Sequence, residues 1–177
     1  MKIRILIYCA LALLLLTSRP HAQEQNFGSW FVGTVRSSGL HYAATINDSG
    51  NLLGQYCSPT EDSCWWLLGM KTSCTEGERY PVLANSDAGA SHMEVLCNAK
   101  LDNGMHRYVF TDFDKVDDVL SRGTRAGFAI PLENDQFRVV RFSITDSTRA
   151  VARMKSNPEK AQQRSPRPPS GTKDQTL

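Results

Sequence analysis

The sequence has no Cys-x-x-Cys, no pair of nearby histidines and no glycine-rich phosphate loop. It also has no Gly-x-Ser-x-Gly and no His-Glu-x-x-His. The first absence removes the local ligand pairs of a structural zinc site and the dithiol of a redox centre. The others remove the familiar signatures of nucleotide binding, serine hydrolysis and zinc proteolysis. Histidine is sparse, at positions 21, 41, 92 and 106. No internal repeat is evident. The sequence therefore predicts no cofactor, no metal and no catalytic residue.

Long apolar runs are also missing, with one exception at the N-terminus. Lys2 and Arg4 precede the run Ile5 to Leu16, and Thr17-Ser-Arg-Pro-His-Ala22 follows. A basic start, a short apolar stretch and a small residue before the cut describe a signal peptide, with cleavage expected after Ala22. The run is too short to span a bilayer, which takes roughly 20 apolar residues. Cys9 does not read as a lipid-anchor site, because bulky Ile7 and Tyr8 precede it and the apolar run continues past it. The expected location is the periplasm, the cell surface or the medium, with no membrane span in the mature chain.

Without residues 1–22 the net charge changes sign. Lys2, Arg4 and Arg19 leave with the leader, so 17 basic and 18 acidic residues remain. Residues 23–154 hold 12 basic and 16 acidic side chains, whereas residues 155–177 hold 5 and 2. An acidic body lacks the basic face of a nucleic-acid binder. Residues 155–177 carry Pro158, Pro166, Pro168 and Pro169 among Lys, Arg, Ser and Gln, with no apolar period. They read as a disordered basic tail. The expected division is thus a leader (1–22), one β-rich domain (23–154) and the tail (155–177).

Cleavage leaves four cysteines, Cys57, Cys64, Cys74 and Cys97. Export exposes them to an oxidising compartment, where an even set pairs. Of the three connectivities, Cys57–Cys64 with Cys74–Cys97 is favoured. The first closes a short loop between strand-like segments, and the second ties Cys74 to the middle of a later strand.

Strand signals dominate residues 28–112. They fall at 29–36, 41–47, 52–57, 64–70, 80–85, 91–97 and 105–111, with Pro81 favouring an edge strand. Asp48-Ser-Gly50 and Asp102-Asn-Gly104 are hairpin turns. Residues 114–122 predict a helix with Val116, Val119 and Leu120 on one face, capped by Asp114 and ended by Gly123. Strands follow at 125–130 and 137–144, separated by a turn at Glu133-Asn-Asp135. Ala126, Phe128 and Ile130 share one side of the first, and Val140, Phe142 and Ile144 one side of the second. A short helix then runs from Asp146 or Ser147 to Met154. The fold class is mainly β (α+β): an antiparallel sandwich or barrel-like sheet with two short helices, stabilised by disulfides.

Candidate contact residues come from two places. Trp65-Trp66 lies in a strand, so the two rings point to opposite faces, one into the core and the other available for contact. Arg122, Arg125, Arg138 and Arg141 come from adjoining segments and could converge on an anion. Arg125, Arg138 and Arg141, with Trp65 and Trp66, are the binding candidates. The acidic run Asp112 to Asp118 lacks the glycine and glutamate of a calcium hand and reads as a helix start.

Phe27-Gly-Ser-Trp30, the spaced cysteines of the first half, Gly127-Phe-Ala-Ile-Pro-Leu132, and Phe142-Ser-Ile-Thr-Asp-Ser-Thr-Arg-Ala-Val151 leading into a short helix form a shared layout. In this layout the chain resembles the invasion-associated locus B family of small exported bacterial proteins. The resemblance implies a β-rich periplasmic or surface protein linked to host-cell interaction, with no enzyme chemistry to transfer. The Cys74–Cys97 interval and the Trp65-Trp66 pair fall outside it. The expected function is non-enzymatic binding of an envelope or host protein. The rivals are a small envelope hydrolase, and an inhibitor presenting the Ser58–Ser63 loop to an enzyme cleft.

Overall fold

In the computed structural model the described residues are 25–101, 103–131 and 136–156. The segment read as a leader, nearly all of that read as a tail, Asp102 and the turn expected at 133–135 lie outside them. Ten strands form one antiparallel sheet: β1 (Gln25–Phe27), β2 (Trp30–Thr34), β3 (His41–Ile46), β4 (Leu52–Ser58), β5 (Ser63–Met70), β6 (Arg79–Ser86), β7 (Gly89–Lys100), β8 (His106–Phe110), β9 (Arg125–Pro131) and β10 (Phe137–Ser143). Two helices join them, α1 (Phe113–Ser121) and α2 (Ser147–Lys155). Across the sheet the strands run β1-β2-β3-β4-β5-β8-β7-β6-β9-β10. No helix among the described residues is long and apolar enough to cross a membrane.

Alternation with period two sorts each strand into an inner and an outer set. Register then aligns the inner sets: Ala43 opposes Gln55, Gln55 opposes Trp66, and Leu68 opposes Tyr108. On the other side Val82 opposes Met93, Ala84 opposes Phe128, and Phe128 opposes Val140. These residues form one continuous core, closed by Val116, Val119 and Leu120 of α1 and Ala150 and Met154 of α2. Aromatic edges meet inside it: Trp30 with Trp66 at 6.3 Å, Phe110 with Phe128 at 5.3 Å. Such pairs add to plain area burial.

The sheet curls until β10 reaches β3, yet among the described residues no backbone ladder joins its two ends. Side chains span the seam instead. Trp30 Nε1 donates to the Ser143 carbonyl at 3.1 Å, and Asn47 Nδ2 donates to the Arg141 carbonyl at 3.1 Å.

Local differences from the sequence reading have identifiable causes. Asp112, not Asp114, caps α1, accepting from the Lys115 N–H at 3.1 Å. Asp114 lies in the first turn. Asp146 precedes α2 in the left-handed region without a side-chain cap, its carboxylate taken by Arg149 at 2.8 Å. Strand β6 is interior, between β7 and β9, rather than an edge. Proline is tolerated there because the β9 pairing begins at Leu83, beyond Pro81. Gly28 takes φ 59° and turns the chain between β1 and β2, a hairpin that composition did not announce. Helix α2 includes Lys155, one residue into the segment read as tail.

Candidate functional site

Both disulfides join the favoured partners, Cys57–Cys64 and Cys74–Cys97. Cys57 and Cys64 face each other across β4 and β5. Cys74 reaches from the segment after β5 to Cys97 in β7, and its Sγ lies 3.9 Å from His106 Nδ1. Cys74, Cys97 and His106 are the one metal-capable cluster among the described residues, and both sulfurs are spent in the disulfide. Three of the four carboxylates from Asp112 to Asp118 are engaged within the fold. Asp112 caps α1, Asp117 accepts from Gln55 and Trp66, and Asp118 pairs with Arg122.

The two tryptophans part as the strand period demands. Trp66 is 1% exposed and donates through Nε1 to Asp117 at 3.3 Å. It is a core residue, not the contact residue that the sequence offered. Trp65 lies on the outer face, half-buried, opposite Tyr56. There it continues a stripe of rings in which Tyr56 lies 5.6 Å from Tyr42, and Tyr42 lies 5.9 Å from Phe31. Burial pushes the Tyr56 hydroxyl up to about 12, with Tyr42 adding to the effect and Arg107 opposing it.

The arginines do not converge. Arg122 pairs with Asp118 on α1. Arg125 and Arg141 share the outer face of β9 and β10, whereas Arg138 lies at the end of the curled sheet opposite the helices. The cause is parity within β10, where Arg138 is three residues from Arg141 and takes the other face, and register, which sets Arg125 opposite Ser143 on the face of Arg141.

Around Arg125 and Arg141 the outer face carries an unexpected feature. Leu83 of β6, Ala129 of β9 and Val139 of β10 form one cross-strand row. Leu83 is 53% exposed, Val139 42%, and neighbouring Phe137 67%. In the next row Gly127 separates Asn85 from Arg141 and leaves a shallow depression of about 460 Å³. Clustered exposed apolar side chains mark contact surfaces more often than scattered ones do. The sequence hid this cluster, because Leu83, Val139 and Phe137 come from separate segments and only register aligns them.

Asp87 fixes one border of this face. Its Oδ2 accepts from the Thr124 N–H at 2.5 Å, the Thr124 hydroxyl at 2.7 Å and the Arg125 N–H at 3.3 Å. Gly123, at φ 121°, passes so near that a Cβ there would sit 3.1 Å from that oxygen. The Thr124 hydroxyl and backbone bonds hold the Asp87 carboxyl below its ordinary 3.8, with Arg125 adding to the effect. A depressed carboxyl stabilises the fold above its unfolded value and loses that contribution as pH falls through the folded value. Replacing Asp87 with Asn is therefore expected to lower stability at neutral pH. The gap from wild type closes below pH 3.8, as read by urea unfolding at a series of pH values.

A second cavity, about 620 Å³, opens at the end of the sheet away from the helices. Ser49 and Asn51 of the β3–β4 hairpin form one wall, and Ile130, Pro131 and Arg138 form the other. Lys71, Thr72, Ser73, Tyr80 and Tyr108 line the rest. The Tyr108 hydroxyl donates to the Thr72 and Ser73 carbonyls at 3.0 and 3.2 Å. Burial pushes its pKa up to about 12, with Tyr80 adding to the effect. A third cleft, about 250 Å³, lies between α1 and α2 over Trp66. No histidine lines any of these three cavities.

Sheet, helices and paired cysteines define a small, disulfide-stapled antiparallel β domain with an apolar, arginine-flanked outer face. Its fold is similar to that of the crystal structure of invasion associated protein B from Bartonella henselae, with a TM-score of 0.57. The match covers 81% of this chain and 99% of that chain, at 13% identity. The resemblance read from Phe27-Gly-Ser-Trp30 and the later segments is thus met at the level of fold. No family model matches the sequence, and no curated protein matches it significantly.

Proposed function

We propose that the chain is an exported, non-enzymatic binding protein of the bacterial envelope or surface, acting through the outer face of β6, β9 and β10. The observation that carries this reading is the row of exposed Leu83, half-buried Ala129 and exposed Val139, with Phe137 beside it and Arg125 and Arg141 at its flank. An apolar centre with an arginine border is the composition of a protein–protein contact. Export is supported by the leader at residues 1–22 and by two disulfides, which persist in oxidising compartments. The named role of the structurally similar Bartonella protein is compatible with a host-interaction role. Cavities without histidine favour binding over hydrolysis.

Capture from envelope extract tests the reading. The mature oxidised protein is compared with a form ending at residue 156 and with the double variant Leu83→Asp/Val139→Asp. Wild type and the shortened form should retain the same partner, and the double variant should retain at least about tenfold less, as for loss of a hot spot. Retention by the tailed form alone would move the function out of the folded body.

A further inference from the structure

Among the described residues, side-chain caps close the seam of the curled sheet at one end and none closes it at the other. In an antiparallel strand the N–H and C=O of one residue point to the same side, and those of the next residue to the opposite side. Ile144 N–H bonds to the Thr124 carbonyl, so the even-numbered residues of β10 face β9. The odd-numbered residues then face the seam, in agreement with the capping of the Arg141 and Ser143 carbonyls by Asn47 and Trp30. Beyond those caps, the N–H and C=O of Phe137 and Val139 and the N–H of Arg141 have no backbone partner among the described residues. Unpaired edge groups of this kind are a template for another strand.

The open stretch borders the 620 Å³ cavity, whose walls are the β3–β4 hairpin on one side and Ile130, Pro131 and Arg138 on the other. Lys71 and Arg138 are exposed there, and Arg141 follows on the outer face. None of the three belongs to an ion pair among the described residues. Hydroxyl and amide groups of Ser49, Asn51, Thr72 and Ser73 complete the lining.

We propose that the free half of β10 and the adjoining cleft accept an extended acidic segment of a protein partner as an added strand. The guest's backbone bonds to Phe137, Val139 and Arg141. Its acidic side chains meet Lys71 and Arg138 on one face and Arg141 on the other, because alternate guest residues point to opposite faces. Charge selects this guest over two others. A second copy would set the same three cations against themselves. The chain's own residues 157–177 carry four basic and two acidic side chains and would be repelled. The proposal rests on the reading of the protein as a binding module and adds the mode and chemistry of the guest.

Panning a display library of short random peptides against the immobilised, mature, oxidised protein tests it. Selected peptides should place Asp or Glu on both faces of an extended strand, at odd and at even positions among β-branched or aromatic residues, and should bind more weakly as salt rises. Val139→Pro removes an N–H that the β9 ladder does not use, so the fold should survive while peptide affinity falls about tenfold. Lys71→Glu/Arg138→Glu, which leaves the backbone alone, should cost at least as much. Selection without acidic excess, no selection at all, or unchanged binding by a natively folded Val139→Pro overturns the proposal. Should that happen while Leu83→Asp/Val139→Asp still abolishes envelope capture, the binding reading stands without the added strand. Failure of both removes both.

Discussion

Replacing Trp30 with alanine is expected to destabilise the protein by about 4 kcal/mol, within the range for large aromatic truncations in a core. Trp30 is 1% exposed and packs edge-on against Trp66. Its indole N–H also holds the Ser143 carbonyl across the seam, so truncation leaves both a void and an unpartnered backbone oxygen. Trp30→Phe separates the two costs. It keeps most of the apolar volume, loses the hydrogen bond, and should cost about 1–2 kcal/mol. Urea unfolding with the disulfides intact reads both values, and the midpoint should fall without a change in slope. A loss under about 1 kcal/mol for Trp30→Ala would show that this ring does not hold the seam.

Removing the Cys74–Cys97 bond should cost nearly as much. Its loop of 23 residues corresponds to about 3.5 kcal/mol on the chain-entropy model, against about 2.5 kcal/mol for the 7-residue Cys57–Cys64 loop. Alanine is the better replacement, since Cys97 is 1% exposed and serine would bury a hydroxyl there. The melting temperature of Cys74→Ala/Cys97→Ala should fall by about 10 °C or more. The effect reaches past stability. The bond anchors the segment after β5, which supplies Lys71, Thr72 and Ser73 to the cleft. The variant should therefore lose acidic-peptide binding even at temperatures where it remains folded. Equal melting temperatures for the two disulfide deletions would contradict the loop-length ordering.

How much was legible beforehand differs by element. Strands β3, β4, β5, β9 and β10 followed from β-branched and aromatic runs with turn residues between them, and the inward sets Ala126-Phe128-Ile130 and Val140-Phe142-Ile144 followed from their period. In α1 the buried positions Val116, Val119 and Leu120 were evident from helical spacing. Asn47 was overlooked, although its side chain organises a turn and closes the seam. Its Oδ1 accepts from the Ser49 and Asn51 N–H groups, while Nδ2 reaches Arg141. The first task is an ordinary local habit of asparagine, but the second needs β10 brought alongside, which no local pattern announces.

By itself the sequence determined the β class, the two helices and which residues of each strand share a side, because each depends on local spacing; it favoured the sulfur pairs, and the fold fixed them. Tertiary structure alone decided that β6 is interior, that Trp66 and not Trp65 is core, that the arginines separate, and that part of the β10 edge has no backbone partner among the described residues. Those outcomes depend on strand order and register. Residues 83, 129 and 139 become neighbours only when three strands are laid side by side, and nothing within any one of them encodes that alignment.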